Sequence, residues 1–137
     1  MKIGFTGTQQ GMTDAQVATV ASLLQVYQPT EFHHGDCIGA DTDADAIVRM
    51  VCPEAEVHVH PPIKPQKRAF CKFYALYPEK DYISRNHDIV DAVKLVIATP
   101  EQVEEQKRSG TWATIRYSRK KNVQLAIVWP DGSIGNE

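Results

Sequence analysis

The chain reads as an α/β protein: a doubly wound, mainly parallel five-stranded sheet of the Rossmann-like kind, with helices on both faces. Two observations predict this. Short apolar segments alternate with helical patterns in the order β-α-β-α-β-α-β-α-β. The apolar segments are also mostly continuous rather than alternating, which marks strands buried on both faces, as in a parallel sheet covered by helices. Right-handed crossovers then place the helices on both sides.

Lys2 to Thr6 is a short buried strand that ends in Gly7-Thr8. Thr13 and Asp14 offer N-cap chemistry for a helix with Val17, Val20, Ala21, Leu24 and Tyr27 on its apolar face, which Pro29 stops. Thr30 to His34 is the second strand and ends in Gly35-Asp36. A helix from about Gly39 to Cys52 buries Ala40, Ala44, Ile47, Val48 and Val51, and Pro53 ends it. Glu56 to His60 is the third strand. Residues 61–78 hold four prolines and read as irregular, in a loop longer than usual connections, and such loops tend to be functional. Tyr82 to Val93 is helical with Ile83, Ile89, Val90 and Val93 inward. Lys94 to Ala98 is the fourth strand, Pro100 to Ser109 a polar loop, Trp112 to Lys121 a helix opened by Gly110-Thr111, and Val123 to Val128 the fifth strand. A polar tail, 129–137, completes one domain spanning 1–137.

Composition bounds the function. The chain has 137 residues and a formal net charge of -2, with 42% hydrophobic and 23% charged residues. These are globular values, and a chain this long buries roughly two thirds of its unfolded surface without staples. No apolar run approaches the roughly 20 residues of a membrane span. The start, Met1-Lys2-Ile3-Gly4-Phe5-Thr6-Gly7, lacks the pattern of a signal peptide. Cys37, Cys52 and Cys71 have no paired spacing, so a reducing, cytoplasmic setting without disulfides is expected. Cys37, at a strand end, has no paired base in the sequence and reads as a small buried thiol. The near-zero charge makes nucleic acid an unlikely general partner, because backbone binding needs a basic surplus. No zinc motif is present. His58 and His60 share a strand face, which makes a metal pair conceivable, but they read as half-exposed strand residues, while His33 and His34 point to opposite faces and cannot easily share a metal.

In open parallel sheets ligands bind beyond the carboxyl ends of the strands. Gly7-Thr8, Gly35-Asp36 with Gly39, and Gly110-Thr111 all fall on that edge, and glycine with helix N-terminal N–H groups suits a phosphate. Local charge agrees. Residues 61–86 carry six basic side chains (Lys64, Lys67, Arg68, Lys72, Lys80, Arg85) against Glu79 and Asp81, a surplus of +4, and the rest of the chain carries nine basic against fifteen acidic, or -6. A basic loop beside a phosphate cradle focuses anions. The expected ligand-binding set is Gly7, Thr8, Gly35, Asp36, Gly39, Asp41, Lys67, Arg68, Arg85, Asn86, Gly110, Thr111 and Trp112. Arg85 with Lys67 or Arg68 would neutralise charge, and Asp36 and Trp112 would contact sugar or base. Asp36, Asp41, Asp43 and Asp45 cluster at a helix start, where magnesium is conceivable but no ligand motif supports it. No metal site is assigned.

The runs Phe5-Thr6-Gly7-Thr8, His34-Gly35-Asp36-Cys37-Ile38-Gly39-Ala40-Asp41, Arg85-Asn86-His87-Asp88-Ile89-Val90 and Gly110-Thr111-Trp112 together resemble the SLOG superfamily, above all its YspA/YpsA-like branch of small Rossmann-like proteins. The resemblance runs to about Val128. It implies a nucleotide or nucleotide-derived ligand, such as an NAD-derived or cyclic-nucleotide signal, held at the strand ends for sensing or sequestration. It also implies a homo-oligomer, since many relatives are dimers or tetramers. The related lonely-guy phosphoribohydrolases cleave nucleotide N-glycosidic bonds with an arginine, matched by Arg85, and a Pro-Gly-Gly-x-Gly-Thr-x-x-Glu motif. Here Lys107-Arg108-Ser109 stand where Pro-Gly-Gly would be, Gly110-Thr111 match, and Thr114 takes the place of the glutamate. A threonine cannot supply the carboxylate such chemistry needs. Glu101, Glu104 and Glu105, in the preceding loop, are the carboxylates nearest in sequence. The expectation is therefore binding without turnover. A nucleotide N-glycosidase with Arg85 in its catalytic role is the first alternative. A nucleic-acid or protein interaction module, like the DprA relatives, is the second.

Overall fold

A computed structural model describes residues 1–136. The elements are β1 (Lys2–Gly7), α1 (Asp14–Tyr27), β2 (Glu31–His34), α2 (Ala40–Val51), β3 (Glu56–Val59), β4 (Ala75–Leu76), α3 (Tyr82–Ala92), β5 (Leu95–Thr99), α4 (Gly110–Lys120), β6 (Gln124–Val128) and β7 (Ile134–Asn136), with one turn of 3-10 helix at Pro65–Lys67. They form one sheet in the order β4-β3-β2-β1-β5-β6-β7. Every pairing is parallel except β6 with β7.

The sheet is doubly wound. Ile3, Phe5, Phe32, Val57, Leu95 and Ile97 point to one face and pack with Val20 and Leu24 of α1 and Ala40, Ala44 and Val48 of α2. Val96, Ala98, Leu125 and Ile127 point to the other and pack with Val90 of α3 and Trp112 and Ile115 of α4. β5 and β6 are therefore apolar on both sides, and that is why their sequences do not alternate, while β1 turns Ile3 and Phe5 to one face and sets Gly4 against Ile89 and Val93 on the other.

The sheet has seven strands rather than five. β4 is two residues long, too short for a period-2 pattern to register, and it pairs with β3 inside the proline-rich stretch. β7 lies in what reads as a polar tail. Pro130-Asp131-Gly132 turns the chain back, with Gly132 at φ +85°, and Ile134 falls opposite Val128. A strand with one large apolar residue carries too little signal to be read from its sequence. The histidines also differ from expectation. His58 and His60 are buried, because residues 74–77 fold over that face of β3.

Local chemistry explains the element ends. Thr13 caps α1 in a complete capping box: its side chain accepts from Gln16 N at 3.0 Å, and Gln16 Oε1 accepts from Thr13 N at 3.0 Å. Gln16 is buried despite its polarity. Its amide donates to Pro100 O (2.9 Å) and Val128 O (3.0 Å), tying α1 to the ends of β5 and β6. Among the described residues, no helix is long and apolar enough to cross a membrane.

Candidate functional site

Strand order reverses at β1. The chain moves from β1 to β2 and β3 on one side, then returns to β5 and β6 on the other. In doubly wound sheets a crevice opens at such a switch point. Here a cavity of about 680 Å³ lies there, at the carboxyl ends of β1, β2 and β5. Gly7, Thr8, Gly35, Asp41, Arg85, Asn86, Gly110 and Thr111 all line it, so most of the expected ligand-binding set comes together in one place.

Arg85 forms the floor and is 5% exposed. Its Nε donates to Asn86 Oδ1 (2.7 Å), and its Nη1 donates to Gly35 O (2.6 Å) and His60 O (3.0 Å). Both terminal nitrogens stand near Cys37 Sγ, at 3.7 and 3.8 Å. Asp41 lies beside it and accepts from Cys37 N at 3.1 Å. Burial pushes the Asp41 carboxyl up, opposed by the charges of His34 and Arg85 and by the Cys37 N–H. Burial also pushes the Cys37 thiol up, with Asp41 adding to the effect and Arg85 opposing it. A raised thiol stays protonated, in keeping with a small buried thiol at the cavity floor.

The β1–α1 and β2–α2 loops clasp each other above this floor. Ala40 N donates to Thr8 O at 2.9 Å. Gly39 takes φ +106°, and a Cβ there would stand 2.6 Å from Gln9 C, so only glycine fits. Thr8 Oγ1 is buried without a partner among the described residues. At the opposite wall, Ser109 caps α4 by accepting from Trp112 N at 3.3 Å, and Ala113 N bonds Ser109 O. The N–H groups of Gly110 and Thr111 precede the first intrahelical bond and have no helical acceptor.

Other expected site residues lie elsewhere, each for a physical reason. Asp36 is fully buried: its Oδ2 accepts from Arg68 Nε at 2.8 Å and its Oδ1 from Cys71 N at 2.9 Å. It anchors the 61–81 loop rather than facing the crevice. That pairing also removes Arg68 from the site, and Lys67 sits beside it on the 3-10 turn, outside the cavity. Gly39 shapes the clasp without lining the cavity. Trp112 is 4% exposed and packs in the core, 6.0 Å from the Trp129 ring between centroids. The +4 surplus of residues 61–86 is thus not a lid. Lys80 pairs with Asp88 at 2.7 Å, Arg68 with Asp36, and only Arg85 of the six cations reaches the cavity.

The acidic cluster is dispersed as well. Asp36 holds Arg68, Asp41 takes Cys37 N, Asp43 takes Met12 N at 3.1 Å, and Asp45 bonds His34 and Arg49. Four carboxylates, each held by its own partners, do not converge on a magnesium ion.

The cavity's remaining cations are Lys107, Arg108 and Arg116. In the sequence Lys107 and Arg108 stand out only as departures from a motif, and Arg116 belongs to no motif. Its spacing from Ala113, three residues along α4, places both on one helix side, and that was the available signal. Arg116 Nη1 meets Glu105 Oε2 at 2.7 Å. Glu101 lines the cavity too, whereas Thr114 is buried and donates to Gly110 O at 2.9 Å. Ile83, expected inward, is exposed and borders the crevice with Tyr82. It shares a helix row with Asn86 and Val90, and that row runs past the sheet edge into the cavity.

Fold and crevice together define a Rossmann-like α/β protein with a cation-lined cavity at its switch point. No family model and no curated protein matches the chain. Among solved structures, it is similar to the molybdenum cofactor binding protein of the phototrophic bacterium Rippkaea orientalis, at TM-score 0.70 and 14% identity, over 93% of this chain and 76% of that one. It is also similar to TM1055, a structural-genomics target, at TM-score 0.65 and 12% identity, over 90% of this chain and 71% of that one. At these identities the likeness is one of fold.

Proposed function

We propose that this protein binds a phosphate-bearing nucleotide or nucleotide-derived small molecule in the switch-point cavity, for sensing or sequestration. One observation carries the reading. The N–H groups of Gly110 and Thr111, in the first turn of α4 and so without an intrahelical acceptor, and the side chains of Arg85, Lys107, Arg108 and Arg116 surround a single cavity of about 680 Å³. Free N–H groups at a helix N-terminus favour an anion, and converging cations raise its local concentration. The unpartnered Thr8 hydroxyl adds a donor at the β1 end. The volume suits a ligand larger than inorganic phosphate. A like fold in a cofactor binding protein supports a small-molecule role.

Calorimetry with AMP, ADP-ribose and cyclic nucleotides, and with inorganic phosphate for comparison, tests this. The expected result is binding of at least one nucleotide, more tightly than phosphate. No binding by any at millimolar concentration overturns it.

A second reading, nucleotide N-glycosidase, is favoured by Glu101, which supplies the cavity with a carboxylate that Thr114 cannot. Free base released from AMP or CMP by the wild type, and lost in Glu101→Gln, is the expected signature of turnover. Ligand binding with no base release rejects this second reading and leaves the first.

A further inference from the structure

β2 and β3 each carry Glu-x-His, as Glu31-Phe32-His33 and Glu56-Val57-His58. The strands run parallel with Glu31 opposite Glu56 and His33 opposite His58. Period-2 alternation puts all four side chains on one sheet face, while Phe32 and Val57 enter the core on the other. This face lies apart from the cavity.

His33 Nε2 is 2.8 Å from Glu31 Oε1, and His58 Nε2 is 3.6 Å from that same oxygen and 3.3 Å from Glu56 Oε1. Glu31 Oε1 and the two ring nitrogens lie within 4.8 Å of one another. A tetrahedral ion with bonds of about 2.0–2.1 Å needs ligand atoms about 3.3 Å apart. These three separations straddle that figure, and the half-exposed Glu56 closes the set as the fourth ligand. The other ring nitrogens are already held: His33 Nδ1 is 2.9 Å from His60 Nε2, and His58 Nδ1 is 2.9 Å from Tyr77 Oη. Metal-ligating histidines use their second nitrogen in this way, which fixes tautomer and ring plane.

We propose that Glu31, His33, Glu56 and His58 form a binding site for a first-row divalent transition metal of the zinc type, with two nitrogen and two oxygen ligands. Imidazole with carboxylate suits zinc, cobalt or nickel rather than calcium or magnesium. Two carboxylates balance the ion's charge, and Lys2 Nζ, 3.6 Å from Glu31 Oε2, occupies the oxygen the metal does not need. The 2.9 Å contact of His33 Nδ1 with His60 Nε2 holds the His33 ring with its Nε2 toward Glu31. A metal at His33 Nε2 would displace the proton that now bridges Nε2 and Glu31 Oε1 at 2.8 Å, and that proton would leave to solvent. Glu56 is 40% exposed, which opens a path from solvent.

The nearby group His34, Asp45 and Cys71 shows the contrast. Asp36 N donates to His34 Nδ1 at 2.9 Å, so His34 carries its proton on Nε2, where it bonds Asp45 Oδ1 at 3.0 Å. Arg49 also grips both Asp45 oxygens. That group is a hydrogen-bonded brace whose carboxylate is already taken.

The test is titration of the full chain, freed of metal by a chelator, with zinc chloride and cobalt chloride, followed by calorimetry, cobalt absorption and imidazole NMR. The expected result is one equivalent bound, a four-coordinate cobalt spectrum without a thiolate charge-transfer band, and shifts confined to the His33, His58 and His60 rings. Affinity should fall by about tenfold or more in Glu56→Gln and in Glu31→Gln, and hold in Cys71→Ser. Glu56 is exposed enough for its variant to fold, and circular dichroism checks each one. No binding at millimolar metal, undiminished affinity in both glutamine variants, a thiolate band, or a response centred on His34 overturns the proposal. None of these readouts depends on a ligand in the switch-point cavity.

Discussion

The carbonyl of Gly35 accepts a 2.6 Å hydrogen bond from Arg85 Nη1, and a Cβ at Gly35 would stand 2.6 Å from the Cζ of that guanidinium. The arginine is not a free end that swings aside, because His60 O and Asn86 Oδ1 hold it too. Gly35→Ala therefore pushes a buried cation off its acceptors. It should destabilise the fold by about 2–3 kcal/mol and weaken nucleotide binding. Urea unfolding and calorimetry measure the two effects. An alanine variant of wild-type stability and affinity would show that Arg85 repacks freely.

Asp36 is assigned here to the loop anchor, not to the ligand. Asp36→Asn removes the charge that faces Arg68 and weakens the acceptor for Cys71 N. Breaking a buried pair on one side costs about 3 kcal/mol. The expected outcome is a lower urea midpoint with nucleotide affinity unchanged in the folded fraction. If affinity collapses at full stability, Asp36 reaches the ligand and the anchoring role is wrong.

Two basic pairs separate the two accounts of where the site's charge comes from. Lys107→Ala with Arg108→Ala removes cations that line the cavity, and Lys64→Ala with Lys67→Ala removes cations of the 61–81 loop that do not. Nucleotide affinity should fall about tenfold or more in the first double variant and stay within about twofold in the second, since exposed charges beyond a Debye length are largely screened. Equal losses would restore the loop as an anion lid.

Much of this was legible in the sequence, and the failures have physical causes. The apolar runs at β5 and β6, the strand at β1 and the cap at Thr13 depend on local composition, which the sequence shows directly. The strand-end glycines with Arg85 and Asn86 were legible because the topology rule for parallel sheets says where strand ends meet. Asp36 and Arg68 were not, because their partners lie 32 residues apart and only the folded chain brings them together. Local charge counts fail for the same reason: a cation's effect depends on whether it is already paired. The paired Glu-x-His segments were visible as letters, but their meaning needs the β2–β3 register, in which a one-residue slip would send the side chains to opposite faces.

The histidine face also fixes a pH dependence. Burial, with the charges of His33 and Arg85 behind it, lowers the His60 pKa from 6.5 to about 3, and burial lowers that of His33. Between about pH 6.5 and 3 the unfolded chain therefore holds a proton on His60 that the folded chain does not. Acid then favours unfolding: this contribution to stability is complete above pH 6.5 and lost progressively as the pH falls toward 3, by up to about 1.4 kcal/mol per unit for each such histidine. Asp45 acts in the same direction. Burial alone would raise it, but bonds from His34 and Arg49 outweigh that and lower it, so its pairing is lost in acid too. Asp41, raised by burial, opposes the trend. Urea midpoints of the metal-free protein between pH 7 and 4 should drop steadily, and His60→Gln, which has no ring to protonate, should drop less steeply. Parallel slopes in the two proteins would mean that His60 takes up its proton inside the fold without penalty.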